Sequence, residues 1–181
     1  LTAPLADETV GAVTGYRWFI AERQTLSSEV LAAWNASIAS ALGPRRRSNF
    51  CWGGATAMRR SDIEQWQIRE RLGGTLSDDF IIAETVLNSG SEIHFVPQAL
   101  TPSRGDTTFF GLLEFTTRQM KITHVYAPHL WRLSLIGSFI FTAVMAAAVI
   151  QLTAGDLLQQ AGPVILLIAV VGFSVLKARD R

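Results

Sequence analysis

The sequence has one cysteine, Cys51, among 181 residues. A single thiol excludes an intramolecular disulfide and supplies no metal-ligand spacing. Histidine is almost as scarce, and His94, His124 and His129 are scattered without a zinc-type pattern. Charge of one sign is also missing. A formal net charge of +1 leaves no bulk electrostatic footprint for nucleic acid. The opening residues, Leu1-Thr2-Ala3-Pro4-Leu5, hold neither a basic region nor a long apolar run, so no signal peptide is expected. With no initiator Met, a preceding N-terminal part is expected. No internal repeat or low-complexity tract is present.

Apolar residues are abundant but uneven, and they pile up after Leu130. Leu133 to Leu152 contains no charged residue, and only Ser134, Ser138, Thr142 and Gln151 (with Thr outnumbered by aliphatics) interrupt it. Twenty residues at ~1.5 Å each span about 30 Å, the thickness of a bilayer's hydrocarbon core. A weaker apolar run, Pro163 to Leu176, reaches back to about residue 158 if Gln159 and Gln160 are accepted. The two predict a transmembrane helical hairpin, about 133–152 and 158–176, within a segment 130–181. Arg118, Lys121 and Arg132 stand before the hairpin and Lys177, Arg179 and Arg181 after it, while the turn carries only Asp156. The positive-inside rule then predicts that both ends and the preceding domain are cytoplasmic.

Residues 1–129 predict an α/β domain from alternating strand and helix signals. Val10 to Ile20 reads as a strand, with Gly11 and Gly15 inside it, where glycine often marks close approach by a ligand or another backbone. Ser27 or Ser28 caps a predicted helix through about Leu42, ended by Gly43-Pro44. Arg45-Arg46-Arg47 fits a solvated loop or contact with anionic lipid headgroups. Phe50 to Met58 predicts a second strand broken by Gly53-Gly54, and Ser61-Asp62 caps a short helix. A short strand follows at Glu92 to Pro97, then a polar turn at Thr101 to Asp106, then a helix from Thr107 to about Tyr126.

One stretch organises the rest. Leu76-Ser77-Asp78-Asp79-Phe80 opens an apolar helical pattern that Asn88-Ser89-Gly90 stops. Ser and Asp are preferred N-caps, and acidic residues in a first turn meet the positive end of the helix dipole. A cap needs only one such residue, so a catalytic acid or base is the alternative.

Thr14-Gly15-Tyr16-Arg17-Trp18, Cys51-Trp52-Gly53-Gly54-Ala55-Thr56-Ala57-Met58-Arg59-Arg60, Ser77-Asp78-Asp79-Phe80 and the Arg118 to Lys121 region follow one another ahead of the hairpin. In that order they resemble the C-terminal half of the catalytic domain of membrane-bound, inverting nucleotide-sugar glycosyltransferases. The similarity is to the ceramide glucosyltransferase-like branch of the family that also includes cellulose synthase, and it covers nearly the whole chain. It implies the C-terminal part of a nucleotide-diphospho-sugar transferase (GT-A) fold. It also implies transfer of a sugar from a nucleotide-diphosphate donor to a membrane lipid acceptor, with inversion. Asp79 matches the general base and Asp78 its acidic neighbour. A like charge next door raises one carboxyl pKa, whereas the helix dipole acts the other way.

The same resemblance assigns Trp52, Gly53 and Gly54 to the segment beside sugar and acceptor. Arg118, Gln119 and Lys121 match the motif before the first membrane helix, in which most members have Arg-Trp where Lys121-Ile122 stands here. Lys keeps the charge near a leaving diphosphate but loses the planar fork. Cys51 is expected to be a buried small hydrophobe. The family's Asp-x-Asp motif, which holds Mg²⁺ or Mn²⁺, does not occur in the sequence, so no metal ligand is assigned and this stretch alone is expected to be inactive. A processive polysaccharide synthase is the enzyme alternative, and a non-catalytic membrane scaffold the alternative from another class.

Overall fold

The computed structural model describes residues 1–154. Its central element is β1, Val10–Ile20, a run of Val, Thr, Tyr, Trp and Phe suited to a pleated, covered surface. Val10 through Tyr16 are all buried, so both faces of this half of the strand are covered. Continuous apolar character of this kind belongs to parallel pairing. β1 pairs in parallel with β3, Glu92–Arg104, and antiparallel with the two-residue β2, Thr56–Ala57, giving the order β2-β1-β3.

The β1–β3 ladder is irregular where it matters. Thr14 pairs with Phe95 and Tyr16 with Leu100, so β3 advances five residues while β1 advances two. The surplus, which includes Pro97, bulges out of the ladder, where a missing N–H costs no strand pairing. Gly15 lies opposite, and a Cβ there would stand 2.5 Å from the Ala99 carbonyl oxygen. Only glycine lets the two backbones approach this closely.

Beyond the bulge β3 continues through Thr101–Arg104, paired with Arg17–Ile20. The polar turn expected at Thr101 to Asp106 is therefore mostly strand, because ladder bonds to β1 outweigh the turn preferences of its Pro, Ser and Arg. Pro102 is tolerated at the sheet's edge. Asp106 then closes the end, accepting from the Glu22 and Arg23 backbone N–H groups at 3.1 and 2.8 Å.

α1 spans Leu26–Ala39 and is capped by Thr25, whose hydroxyl accepts from the Ser28 N–H at 3.3 Å, rather than by Ser27 or Ser28. It ends before Leu42 in a turn held by buried Asn49, which exchanges two 2.9 Å bonds with Gly43 and donates to the Ile93 carbonyl at 3.0 Å. The strand expected over Phe50 to Met58 survives only as β2. Gly53–Ala55 instead forms one turn of 3₁₀ helix, closed by the Ala55 N–H donating to the Trp52 carbonyl. α2, Arg60–Gln65, begins after Arg59 rather than after Ser61-Asp62, and α3, Ile68–Arg71, follows Gln67 at φ +52°.

α4, Asp78–Asn88, places the organising stretch. Ala83 and Val86, three residues apart on one face, bury against Ala12, Cys51 and Ile93, with Met58 and Trp66 alongside. A second cluster joins Tyr16, Ala39 and Leu42 to Phe50, Trp52 and Phe95. These two clusters clamp β1 and set the start of α4 against the 3₁₀ turn. α5, Phe109–Tyr126, follows β3.

The chain divides into a unit Leu1–Ile122 and a second unit beginning at Thr123. In the latter, α6 spans Pro128–Ala154. Its Pro128–Ile150 segment has a mean hydropathy of 2.3 and is long and apolar enough to cross a membrane. Leu133, Leu135, Ile136, Phe141 and Val149, which are spread around the helix, are all more than half exposed, so the helix is apolar on every side. The second expected span, about 158–176, and the turn before it lie outside the described residues.

Candidate active site

Ser77 precedes α4 in an extended conformation, and its side chain makes no capping bond. The two carboxylates that follow divide the work at the helix start. Asp78 accepts from the Asp79 N–H at 3.0 Å. Asp79 turns away from its own helix and accepts a hydrogen bond from the backbone N–H of Gly53. A residue serving only as a cap would spend its oxygen on the N–H groups of the first turn. The capping account therefore covers Asp78 and leaves Asp79 unexplained.

Gly53 is fixed from below. The Trp52 N–H donates to the Thr14 hydroxyl at 3.0 Å, and that hydroxyl donates to the Gly15 carbonyl at 2.9 Å. The Thr56 hydroxyl donates to the Trp52 carbonyl at 2.7 Å. The β1 backbone thus orients the 3₁₀ turn, and the turn orients Asp79. A Cβ on Gly53 would lie 2.6 Å from Asp78 Oδ2 and 2.9 Å from Asp79 Oδ1. Glycine is the only residue that admits both carboxylates.

Asp79 is partly buried and its pKa rises from 3.8 to about 6. Burial is the largest cause, because a poorly solvated carboxylate disfavours its charge. The Gly53 N–H opposes it, the Asp78 charge adds to it, and Arg17 offsets part. The like-charge effect expected from the sequence is present, but it is subordinate to burial. A carboxyl near 6 is ionised at neutral pH and holds a proton better than an ordinary aspartate, the combination a general base needs.

Arg17 was given no role by the sequence motifs, yet it faces this carboxylate electrostatically. Its guanidinium lies 4.6 Å from the Phe19 ring centroid and 5.3 Å from that of Phe115 on α5. Arg118 sits over the same Phe115 ring at 5.7 Å. The signal available beforehand was an arginine inside an apolar strand. Gln119 is half-buried and Lys121 is exposed one turn beyond Arg118, outside this ring contact.

Trp52 is half-buried, with its indole 5.7 Å from the Tyr16 ring and folded over Gly54. It packs on the core with part of its surface open. Cys51 is 2% exposed, and burial first, then the Asp79 charge, push its thiol up to about 12. A thiol held so firmly protonated is no nucleophile. Among the described residues no three His, Cys, Asp or Glu side chains gather to hold a metal ion. They do not make a Mg²⁺ or Mn²⁺ site.

An aspartate of raised pKa on a glycine turn, set in a small α/β domain, is chemically suited to taking a proton. The sequence matches glycosyl transferase family 21 over residues 1–179, and the chain belongs to that family. It is a glycosyltransferase, and the apolar α6 together with the family points to membrane association. No curated protein matches the sequence.

Proposed function

We propose that the protein transfers a sugar from a nucleotide-diphosphate donor to a membrane lipid, with inversion, and that Asp79 is the general base. The observation that carries this reading is the Asp79 carboxylate, half-buried, raised to about 6 and turned out of its helix by the Gly53 N–H. In the reaction the acceptor hydroxyl gives its proton to Asp79 as its oxygen attacks the anomeric carbon. The bond from that carbon to the diphosphate breaks on the opposite face, which inverts the centre without a covalent enzyme intermediate. A positioned base contributes ~100- to 10,000-fold to such a step.

Asp78 sustains the raised pKa by its charge and holds the start of α4. Gly53 and Gly54 keep the approach to Asp79 clear, and the open part of the Trp52 indole offers a stacking face for a sugar or lipid. Arg118, with Gln119 and Lys121 beyond it, supplies positive charge for the departing diphosphate. The Mg²⁺ or Mn²⁺ that the resemblance implies finds no ligand set among the described residues. The GT-A-type fold and the donor's nucleotide site belong to this reading as well.

The lipid acceptor is favoured by α6, which would hold the domain at a bilayer where such acceptors reside. With the basic residues on both sides of the apolar region, the positive-inside rule puts the domain and the C-terminus in the cytoplasm. The test supplies radiolabelled nucleotide sugars and an extracted lipid pool, in membranes, to the longest form of the protein that contains this stretch. Labelled lipid that disappears in Asp79→Asn is expected. Label in a long polymer would transfer the reading to a polysaccharide synthase, and no transfer from any donor would leave a non-catalytic scaffold.

A further inference from the structure

Arg17 and Arg118 come together in a way that the packing of the domain does not require. Arg17 leaves an apolar strand, and Arg118 lies on α5 a hundred residues later, yet both guanidiniums stand against the Phe115 ring, at 5.3 and 5.7 Å from its centroid. Neither forms an ion pair with a carboxylate among the described residues. Arg17 Nε is buried and has no hydrogen-bond acceptor. Phe19 and Phe115 attract its guanidinium charge but give the Nε–H no hydrogen-bond acceptor. Two like charges near one ring repel, and a buried N–H left without an acceptor is costly unless something answers it. Burial first, then the Arg118 charge, lower the Arg17 pKa, while the Tyr16 and Asp79 groups raise it. Asp79, engaged by the Gly53 N–H, accepts no hydrogen bond from these arginines.

We infer that Arg17 and Arg118 form a two-arginine site for a phosphate-bearing group beside Asp79. The planar fork of arginine suits tetrahedral oxyanions, and a phosphate between the two would satisfy the buried Nε edge and cancel their repulsion. This rests on the glycosyl-transfer reading for its place in the reaction, and it adds Arg17, which lies within a motif of the resemblance but has no role assigned by it. The phosphate has two possible sources: the diphosphate of the donor, or the headgroup of a phospholipid acceptor.

The experiment measures binding to the protein in detergent or nanodiscs, with inorganic pyrophosphate as one probe and soluble dihexanoyl phosphatidic acid as the other. Wild type binds at least one, and the tighter probe identifies the source. Arg17→Gln weakens that probe about tenfold or more, the loss expected when hydrogen bonds to a charged group are removed. Arg118→Gln, at an exposed position, does the same and carries the test if Arg17→Gln does not fold. Asp79→Asn leaves binding unchanged or tightens it, since it removes a negative charge. Binding of neither probe, or equal binding by the folded arginine variants, overturns the inference. Asp79→Asn that retains transfer would instead overturn the general-base assignment while leaving the phosphate site standing.

Discussion

At the scale of single residues, the account turns on an aspartate that the fold makes less acidic. Asp79 holds its proton up to about pH 6 in the folded chain, against 3.8 ordinarily. Between those values the folded state binds more protons than the unfolded, so stability falls as pH rises through that window. Asp79→Asn should therefore stabilise the fold above about pH 6, by about 1 kcal/mol once partial solvation is allowed for. An upward shift of a few degrees in Tm at pH 7.5, together with a ~100-fold or greater loss of transfer, is expected. A variant that lost stability along with activity would point to a structural carboxylate. Gly53→Ala drives a methyl into both carboxylates and should cut turnover while costing about 1–3 kcal/mol, read by chemical denaturation and initial rates. Cys51→Ala should turn over like wild type, and thiol alkylation of the folded protein should be slow, because the buried thiol stays protonated. That expectation of an inert, packed cysteine was legible beforehand, because the resembled chemistry needs no thiol nucleophile.

The secondary-structure elements differ in how much of them the sequence discloses. β1 runs Val10–Ile20, as its β-branched and aromatic content predicts, because a central, doubly covered strand is specified by its own residues. α4 is equally legible, from Asp78 to the Asn88 stop. β3 is not. Its far half is held by the ladder to β1, and the surplus around Pro97 hides a partner that no local pattern reveals. The segment Phe50 to Met58 misleads in the opposite direction, since its β-type residues flank a Gly-Gly turn that the Trp52 carbonyl closes. Arg17 was hidden for the same reason as β3: its neighbours Phe115 and Arg118 are distant in sequence. Gly15→Ala is the test at this scale. It presses a Cβ on the Ala99 carbonyl and should destabilise by about 1–3 kcal/mol, whereas Thr25→Ala, which removes only a cap, should cost about 1 kcal/mol and leave transfer intact.

For the molecule as a whole, composition conveys more than local pattern. The pile-up of apolar residues after Leu130 announces α6, and its exposed flanks make a bilayer the natural surroundings. The protein should therefore stay with the membrane pellet after an alkaline carbonate wash; release into the wash would contradict the anchor. The proposed function needs both levels, a domain that builds Asp79 and a membrane that would bring it acceptors. Its central claim is that Asp79 takes the acceptor's proton, and the pH dependence of kcat tests this most directly. Turnover should fall about tenfold per unit of pH below an apparent pKa of about 6, and this limb should vanish with the activity in Asp79→Asn. A rate flat from about pH 4.5 to 7.5, or an Asp79→Asn enzyme with the same limb and turnover, would contradict the account.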